Sequence, residues 1–183
     1  SPELILDIGA HRGESILRFR EMFKKSKIIS FEPIPDAIKS IEEKINLLNL
    51  NNVDYYQNVV GSENKVVNFF IYKKTDISSV ISIDEKSKFY KMRASQYSEN
   101  DNLLKKKIEV KQIKLDQFII DKKIKNIDII KIDVQGYEIE VLKGMRNLIK
   151  EGLFNFVEIE FMFKGPYQRE ELSISNLEDI LNP

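Results

Sequence analysis

The sequence predicts an α/β fold of the Rossmann-like type, with a mainly parallel central sheet flanked by helices. Three observations lead to this prediction. Short apolar runs alternate along the chain with segments whose apolar residues recur at helical spacing. The first run ends in a glycine turn at residues 7–13 (DIGAHRG), and the second ends directly in Glu32. Repeated strand–helix order favours parallel strands, because each crossover helix returns the chain to the same edge.

The first half of the chain accounts for three strands and two helices. Apolar runs at residues 4–8, 28–31 and 53–56 predict the strands. A helix is expected from Glu14 to Lys25, with its apolar residues on one face. Pro35 and Asp36 suit the start of the second helix. Its buried stripe consists of Ile38, Ile41, Ile45 and Leu48.

The middle of the chain is less regular. Residues 66–72 and 108–113 alternate between apolar and polar in the manner of strands. The polar stretch 73–107 separates them and is predicted to be an insertion. Loops of this length without clear structure are usually functional lids or disordered segments.

The last third begins with a further central strand at 127–132. One helix is expected to follow it, with a stripe formed by Val141, Leu142, Met145, Leu148 and Ile149. A strand at 154–163 and a helix at 174–181 complete the prediction. We expect a single domain over 1–183, because 183 residues suit one ordinary core. This domain is expected to be trimmed at both ends.

Composition excludes several classes of protein. Acidic and basic side chains balance at 29 each, so no global field favours nucleic acid, and none is expected as a partner. The sequence contains no cysteine, which rules out disulfides and thiolate chemistry. No apolar run approaches the roughly 20 residues of a membrane span, and no leader precedes the first strand. The cytoplasm is the expected location, and the oligomeric state stays open.

The glycine turn at residues 7–13 is the first candidate binding element. In open α/β sheets, ligands bind beyond the carboxyl ends of the strands, where Gly9 and Gly13 would let the backbone approach closely. A dinucleotide fingerprint starting at Gly9 needs glycine where His11 and Glu14 stand, so pyrophosphate is disfavoured. S-adenosylmethionine carries a nucleoside and an amino acid without phosphate, and suits this turn better.

Glu32 is the second candidate, because it closes the strand that follows the glycine turn. A carboxylate at this place can accept hydrogen bonds from both ribose hydroxyls. The alternative is a solvated turn carboxylate. Gln57 or Asn58, after the third strand, could contact the adenine amino group, although an ordinary polar turn is almost as good an explanation.

Three blocks of sequence together resemble the FkbM-type methyltransferases. They are residues 7–13 (DIGAHRG), 31–33 (FEP) and 131–138 (KIDVQGYE). The resemblance continues through 140–144 (EVLKG) and covers the chain from residue 4 to about 163. It implies a class I methyltransferase fold, S-adenosylmethionine as cofactor, and O-methylation of glycans, polyketides or similar metabolites.

The resemblance also implies functional positions. By position, cofactor contacts are expected at Asp7, Gly9, Ala10, Gly13 and Glu32, and Asp133 lies where cofactor meets acceptor. His11 and Pro33 belong to the same blocks and are predicted as further cofactor contacts. His11 stands where the family commonly has Asn, and Gln135 stands where it frequently has Glu. These departures motivate a rival hypothesis, a non-catalytic binding module, and a nicotinamide-dependent oxidoreductase is the weaker alternative.

The proton acceptor for the reaction has four candidates, of which Glu160 is the fourth. His11 is the sole histidine of the sequence and titrates near neutral pH, but it could be a turn residue. Asp133 is expected at a strand end facing the cleft, or as a turn-forming carboxylate. Glu138 could serve the acceptor site or cap its helix. Gln135 and Glu160 are predicted to contact the acceptor, although Glu160 could equally lie on an exposed face. No metal requirement is expected.

Overall fold

A computed structural model describes residues 1–97, 102–160, 167 and 174–181 of the chain. Its strands are β1 (Leu4–Ile8), β2 (Lys27–Phe31), β3 (Val53–Tyr56), β4 (Val59–Gly61), β5 (Lys65–Tyr72), β6 (Leu104–Lys114), β7 (Ile127–Ile132) and β8 (Phe154–Ile159). Its α-helices are α1 (Glu14–Met22), α2 (Pro35–Leu47), α3 (Lys88–Tyr97), α4 (Leu115–Asp121), α5 (Glu138–Gly144), α6 (Arg146–Glu151) and α7 (Ile174–Leu181).

Five parallel strands form the central sheet, in the order β3-β2-β1-β7-β8. The chain builds outward from β1 to β3 and later returns to the other side of β1 as β7. The strand order therefore reverses between β1 and β7, which is where open α/β sheets bind ligands. This arrangement confirms the predicted α/β, Rossmann-like fold with a mainly parallel sheet.

The central strand β1 is buried on both faces. Leu6 and Ile8 point into the core shared with β7, α5 and α6, whereas Ile5 points into the core shared with α1 and α2. Alternate residues of a strand point to opposite faces, so a run that is apolar except for Asp7 fits a sheet that is covered on both sides. This burial fixes the strand end from which the glycine turn leaves.

A second, smaller sheet was not predicted. It has the order β4-β6-β5, with β6 antiparallel to β5 and parallel to β4. The predicted strands 66–72 and 108–113 are the two main members of this sheet. The expected insertion is shorter than 73–107, because β6 already begins at Leu104. The segment also has structure of its own, namely α3 and a 3-10 turn, Thr75–Ile77.

The helices differ from the prediction in three places. Helix α1 ends at Met22 rather than Lys25, since Phe23 leaves the helical conformation with φ −132°. The single helix expected after β7 is two short helices, α5 and α6, interrupted at Met145. Helix α4 was not predicted. Helix α7 lies at the predicted 174–181, and residues 161–163 of the predicted last strand fall outside the described residues.

None of the helices in the described part of the chain is both long enough and apolar enough to span a lipid bilayer.

Candidate functional site

A cavity of about 760 Å³ lies at the carboxyl ends of the central strands. The predicted site residues that line it are Gly9, Ala10, His11, Glu32, Pro33, Asn58, Asp133, Gln135 and Glu160. Phe69 of β5 and several residues of the insertion form much of the remaining wall; the insertion residues are Thr75, Asp76, Ile77, Ser78, Val80, Phe89 and Arg93. Three predicted site residues, Asp7, Gly13 and Glu138, are not part of this lining.

The glycine turn lies tightly against its neighbouring strands. The backbone N–H groups of Gly9 and Ala10 both donate to the carbonyl oxygen of Phe31, at 2.9 and 3.1 Å. Gly9 has φ +86°, and a Cβ atom at this position would lie 1.8 Å from the carbonyl oxygen of Asp133. Only glycine allows this approach, which draws the ends of β1, β2 and β7 together around the cavity.

Glu32 lies buried at the end of β2, with 4% of its surface exposed. Its Oε2 accepts a hydrogen bond from the backbone N–H of His11 at 2.9 Å, and its Oε1 accepts one from the N–H of Ile34 at 2.8 Å. Each carboxylate oxygen has two lone pairs, so each can accept one further hydrogen bond. Burial raises the pKa of Glu32 to about 8, although the two backbone bonds oppose the rise.

The raised pKa of Glu32 predicts that the folded protein loses stability between pH 6.5 and pH 8. In this interval the folded state retains a proton that the unfolded state, with its ordinary pKa of 4.5, has lost. The free energy of unfolding should therefore fall by about 1.4 kcal/mol per pH unit as the pH rises, and then level off. Burial lowers the pKa of His11, which opposes this trend only below its ordinary value of 6.5.

Urea unfolding of the wild type and of Glu32→Gln at several pH values measures this effect. The fall should be smaller in Glu32→Gln, because that side chain has no proton to lose. The pKa values of Asp7, Glu138 and Glu160 are also raised, so part of the fall should persist in the variant. Equal slopes in the two proteins would show that Glu32 titrates normally.

Asp7 is fully buried beneath the cavity. Its Oδ2 accepts a hydrogen bond of 2.6 Å from the Ser15 hydroxyl, and its Oδ1 lies 3.6 Å from Nζ of Lys131. Burial raises the pKa of Asp7, and attraction to Lys131 opposes the rise. The direct cofactor contact predicted for Asp7 stays a prediction, and its position suits a group that holds Ser15 and Lys131 in place.

Lys131 is a site residue that the sequence reasoning missed. Its Nζ lies 3.2 Å from Oδ2 of Asp133 and 3.4 Å from the carbonyl oxygen of Gly9, and it lines the cavity. A charged residue inside the apolar run 127–132 was the available signal, since a buried lysine needs partners. Lys131 therefore brings a positive charge to the point where β1 and β7 end.

Asp133, Gln135 and Glu160 meet on one side of the cavity. The side-chain amide of Gln135 donates to Oδ1 of Asp133 at 3.0 Å and to Oε2 of Glu160 at 2.6 Å. Burial alone would raise the pKa of Asp133, but Lys131 and hydrogen bonds from Glu160 and Gln135 hold it below its ordinary value. Glu160 is an exposed residue, yet partial desolvation of its carboxyl group and the neighbouring Asp133 raise its pKa to about 7.

His11 joins the glycine turn to the insertion. Its Nε2 lies within hydrogen-bond distance of the Thr75 hydroxyl, at 2.8 Å, and its Nδ1 lies 3.7 Å from the carboxylate of Glu14. Its φ of +47° is in the left-handed region, which is uncommon for a residue with a side chain. His11 thus belongs to the cavity wall, and one ring nitrogen is engaged by the insertion.

Glu138 lies outside the cavity lining and hydrogen-bonds to the loop after β7. Its Oε1 accepts hydrogen bonds from the backbone N–H groups of Val134 and Gly136, at 3.2 and 3.1 Å. Burial is the main cause of its raised pKa. Between these donors, Gln135 takes the left-handed conformation with φ +55°. The catalytic role predicted for Glu138 stays a prediction, and its contacts fit the alternative in which it holds this loop.

The third-strand candidates differ in position. Asn58 lines the cavity, and its side-chain amide donates to the carbonyl oxygen of Lys111 at 3.1 Å. Gln57 is not part of the lining and donates to the carbonyl oxygen of Pro33. Asn58 is therefore the better placed of the two for contact with a base. Among the described residues, no three His, Asp or Glu side chains cluster closely enough to hold a metal ion.

Comparison with known proteins gives relatives that are all methyltransferases by name. "Methyltransferase 1" of Beauveria bassiana is 24% identical over 147 residues, which cover 77% of this chain and 57% of that protein. "Methyltransferase sdnD" of Sordaria araneosa is 27% identical over 158 residues, or 79% of this chain and 61% of that protein. "2-O-methyltransferase NoeI" of Sinorhizobium fredii is 26% identical over 161 residues, or 85% and 62%.

The match therefore spans about three fifths of the length of these relatives. Residues 7–181 match the family described as "Methyltransferase FkbM domain". This range includes all three sequence blocks on which the resemblance depended and all the predicted site residues. The chain belongs to the FkbM methyltransferase family.

Proposed function

We propose that this chain binds S-adenosylmethionine and transfers its methyl group to a hydroxyl of a sugar, glycan or related metabolite. The position of Glu32 is the main support for the proposal. Its carboxylate lines the cavity beside the glycine turn, and both oxygens can still accept a hydrogen bond. A ribose offers two adjacent hydroxyl donors, which match these two acceptors.

The glycine turn also favours this cofactor over a nicotinamide dinucleotide. The glycine pattern that normally receives a pyrophosphate is missing from residues 7–13. S-adenosylmethionine carries no phosphate and does not need that pattern.

When bound, S-adenosylmethionine supplies a methyl group on positively charged sulfur. The chain must then hold the acceptor oxygen in line with that methyl group, and positioning of this kind can supply roughly 7 to 11 kcal/mol. Phe69 of β5 and the insertion residues Ile77, Val80 and Phe89 give one wall of the cavity an apolar surface that would keep water from the reacting atoms. Gln135 and Glu160 offer polar groups to acceptor hydroxyls on the opposite side.

The choice of a hydroxyl acceptor rests on two observations. The Sinorhizobium relative is named as a 2-O-methyltransferase. In addition, the polar groups on the β7–β8 side of this cavity include carboxylates and an amide, which form hydrogen bonds with hydroxyls. The choice among sugars would depend on the residues of the insertion that line the cavity.

Calorimetric titration tests the cofactor part of the proposal. We expect S-adenosylmethionine and S-adenosylhomocysteine to bind at one site, and we expect NAD to give no heat of binding. Binding of NAD in preference to S-adenosylmethionine would contradict the proposal. The titration needs no acceptor, so it separates the cofactor question from the acceptor question.

Transfer of a radiolabelled methyl group to a panel of methyl glycosides tests the reaction. We expect at least one sugar to be labelled. The departures at His11 and Gln135 keep the non-catalytic binding module as a second candidate. Cofactor binding without labelling of any member of the panel would favour that candidate.

A further inference from the structure

Asp133 and Glu160 form a pair of carboxyl groups on the cavity wall. They follow the neighbouring parallel strands β7 and β8, and the backbone N–H of Glu160 still donates to the carbonyl oxygen of Ile132 at 2.9 Å. Parallel strands that end together bring their next side chains to the same edge. The two carboxyl groups hydrogen-bond to each other, and both line the cavity.

Gln135 holds this pair in a fixed arrangement. Its amide nitrogen has two hydrogens, and it donates to Asp133 and to Glu160. Its amide oxygen lies 3.2 Å from the hydroxyl of Tyr167, so both ends of the amide are engaged. A glutamate at position 135 would add a third negative charge here and could not donate both bonds. The glutamine that departs from the common family residue therefore suits the carboxyl pair.

The surrounding charges decide which member of the pair carries the proton. Two hydrogen-bonded carboxyl groups hold one proton between them, because both cannot ionise freely at close range. Lys131 contacts Asp133 at 3.2 Å and so favours the ionised form of Asp133. Glu138 from α5 repels a negative charge on Glu160, while the phenol of Tyr167 stays neutral because burial raises its pKa. The proton therefore resides on Glu160 at low pH and leaves it near neutral pH.

We propose that Glu160 is the group that takes the proton from the acceptor hydroxyl, with Asp133 and Gln135 as positioning residues. This inference rests on the proposed methyl transfer. In that step an O–C bond forms to the acceptor, the C–S bond breaks, and its electron pair remains on sulfur. The hydroxyl proton passes to the ionised carboxylate of Glu160, which returns it to solvent.

The other candidates are less well placed for this role. Asp133 has a lowered pKa and is neutralised by Lys131, which makes it the weaker base of the pair. His11 has one ring nitrogen engaged by Thr75 and a pKa lowered by burial. Glu138 is not part of the cavity lining. Glu160 combines access to the cavity with a pKa of about 7.

The first test follows the proton without any acceptor. Carbon-13 NMR of side-chain carboxyl groups is recorded from about pH 5 to about pH 9, a range in which ordinary carboxyl groups stay ionised. We expect a resonance with a midpoint of about 7 that disappears in Glu160→Gln and moves to lower pH in Asp133→Asn. The exposed Glu109→Gln should leave it unchanged. Titration of Glu160 near the ordinary glutamate value of about 4.3 would overturn the proposal.

The second test uses the sugar that is labelled fastest in the glycoside panel. Glu160→Gln should lower kcat by about 10² to 10⁴, the usual contribution of a general base, and leave the Kd for S-adenosylmethionine unchanged. Glu160→Asp should restore part of the loss, and Asp133→Asn should move the pH midpoint of kcat downward. Glu109→Gln is the matched control for a glutamate change elsewhere.

The outcomes of the second test separate this inference from the proposed function. Wild-type kcat in Glu160→Gln, with the cofactor still bound, would overturn the role of Glu160 alone. Failure of the wild type to bind S-adenosylmethionine would overturn both proposals.

Discussion

Replacement of Glu32 with alanine is expected to weaken S-adenosylmethionine binding by roughly 10²- to 10⁴-fold. The carboxylate would lose two hydrogen bonds from ribose hydroxyls, and hydrogen bonds to a charged group contribute about 1.5 to 3 kcal/mol each. Isothermal titration calorimetry of the wild type and the variant measures the change in Kd directly.

The same residue also supports the fold, so the variant needs a structural check. Glu32 accepts backbone hydrogen bonds from His11 and Ile34, and alanine would leave both N–H groups without this acceptor. Glu32→Asp keeps the negative charge on a shorter side chain and should bind more tightly than Glu32→Ala. Glu109→Ala removes an exposed glutamate from β6 and should behave as the wild type. Thermal unfolding shows whether each protein is folded at the temperature of the titration.

Proton release provides an independent readout for Glu32. Its pKa is raised to about 8 in the free protein, so a large fraction of the molecules carry a proton there at neutral pH. Hydroxyl donors favour the ionised carboxylate, and binding should therefore expel that proton. Calorimetry in buffers with different ionisation enthalpies counts the protons released. Tight binding in Glu32→Ala, or no release by the wild type, would show that ribose is held elsewhere.

The sequence was sufficient to predict the central sheet for a physical reason. Strands that are buried on both faces are mostly apolar, and residues 4–8 and 127–132 are such runs, with Asp7, Asp128 and Lys131 as their charged members. The turns at their carboxyl ends carry Gly9 and Asp133, which the fold then brings together. The main site residues could be placed together because they follow the ends of predicted parallel strands, which lie at one edge of the sheet, and because the family resemblance assigns the same positions.

The second sheet could not be predicted in the same way. Strand β4 has only three residues, too few to show any periodicity, and it pairs with β6 about fifty residues later. Gly144 also depends on this distant pairing, because a Cβ atom there would lie 2.1 Å from the carbonyl oxygen of Gly61. Contacts of this kind depend on the assembled fold and leave no local pattern.

In the site, too, the positions of residues could be predicted from the local sequence, whereas their contacts with distant residues could not. Position along a strand was enough to predict that Glu32 and Asp133 would line the cavity. It was not enough to show what each side chain contacts, and so Lys131 was missed and the contacts of Asp7 with Ser15 and Lys131 were not foreseen. The partners of Glu160 come from another strand, which explains why its place in a carboxyl pair was not foreseen.

Replacement of Glu138 with alanine is expected to destabilise the protein by roughly 2 to 6 kcal/mol. One carboxylate oxygen accepts the N–H groups of both Val134 and Gly136, and each buried donor left without a partner costs about 1 to 3 kcal/mol. The loop that positions Gln135 should lose its conformation at the same time. Urea unfolding measures the destabilisation, with Glu109→Ala as the control.

Glu138→Gln distinguishes a supporting role from the catalytic role that the sequence suggested. The amide oxygen of glutamine can accept both backbone N–H groups, so the loop and the free energy of unfolding should be nearly preserved. A supporting residue would then keep methyl transfer close to the wild-type rate. A residue that moves a proton would lose transfer even in a stable protein, because an amide cannot accept the proton. A stable but inactive Glu138→Gln would thus return Glu138 to the reaction and weaken the assignment of the proton to Glu160.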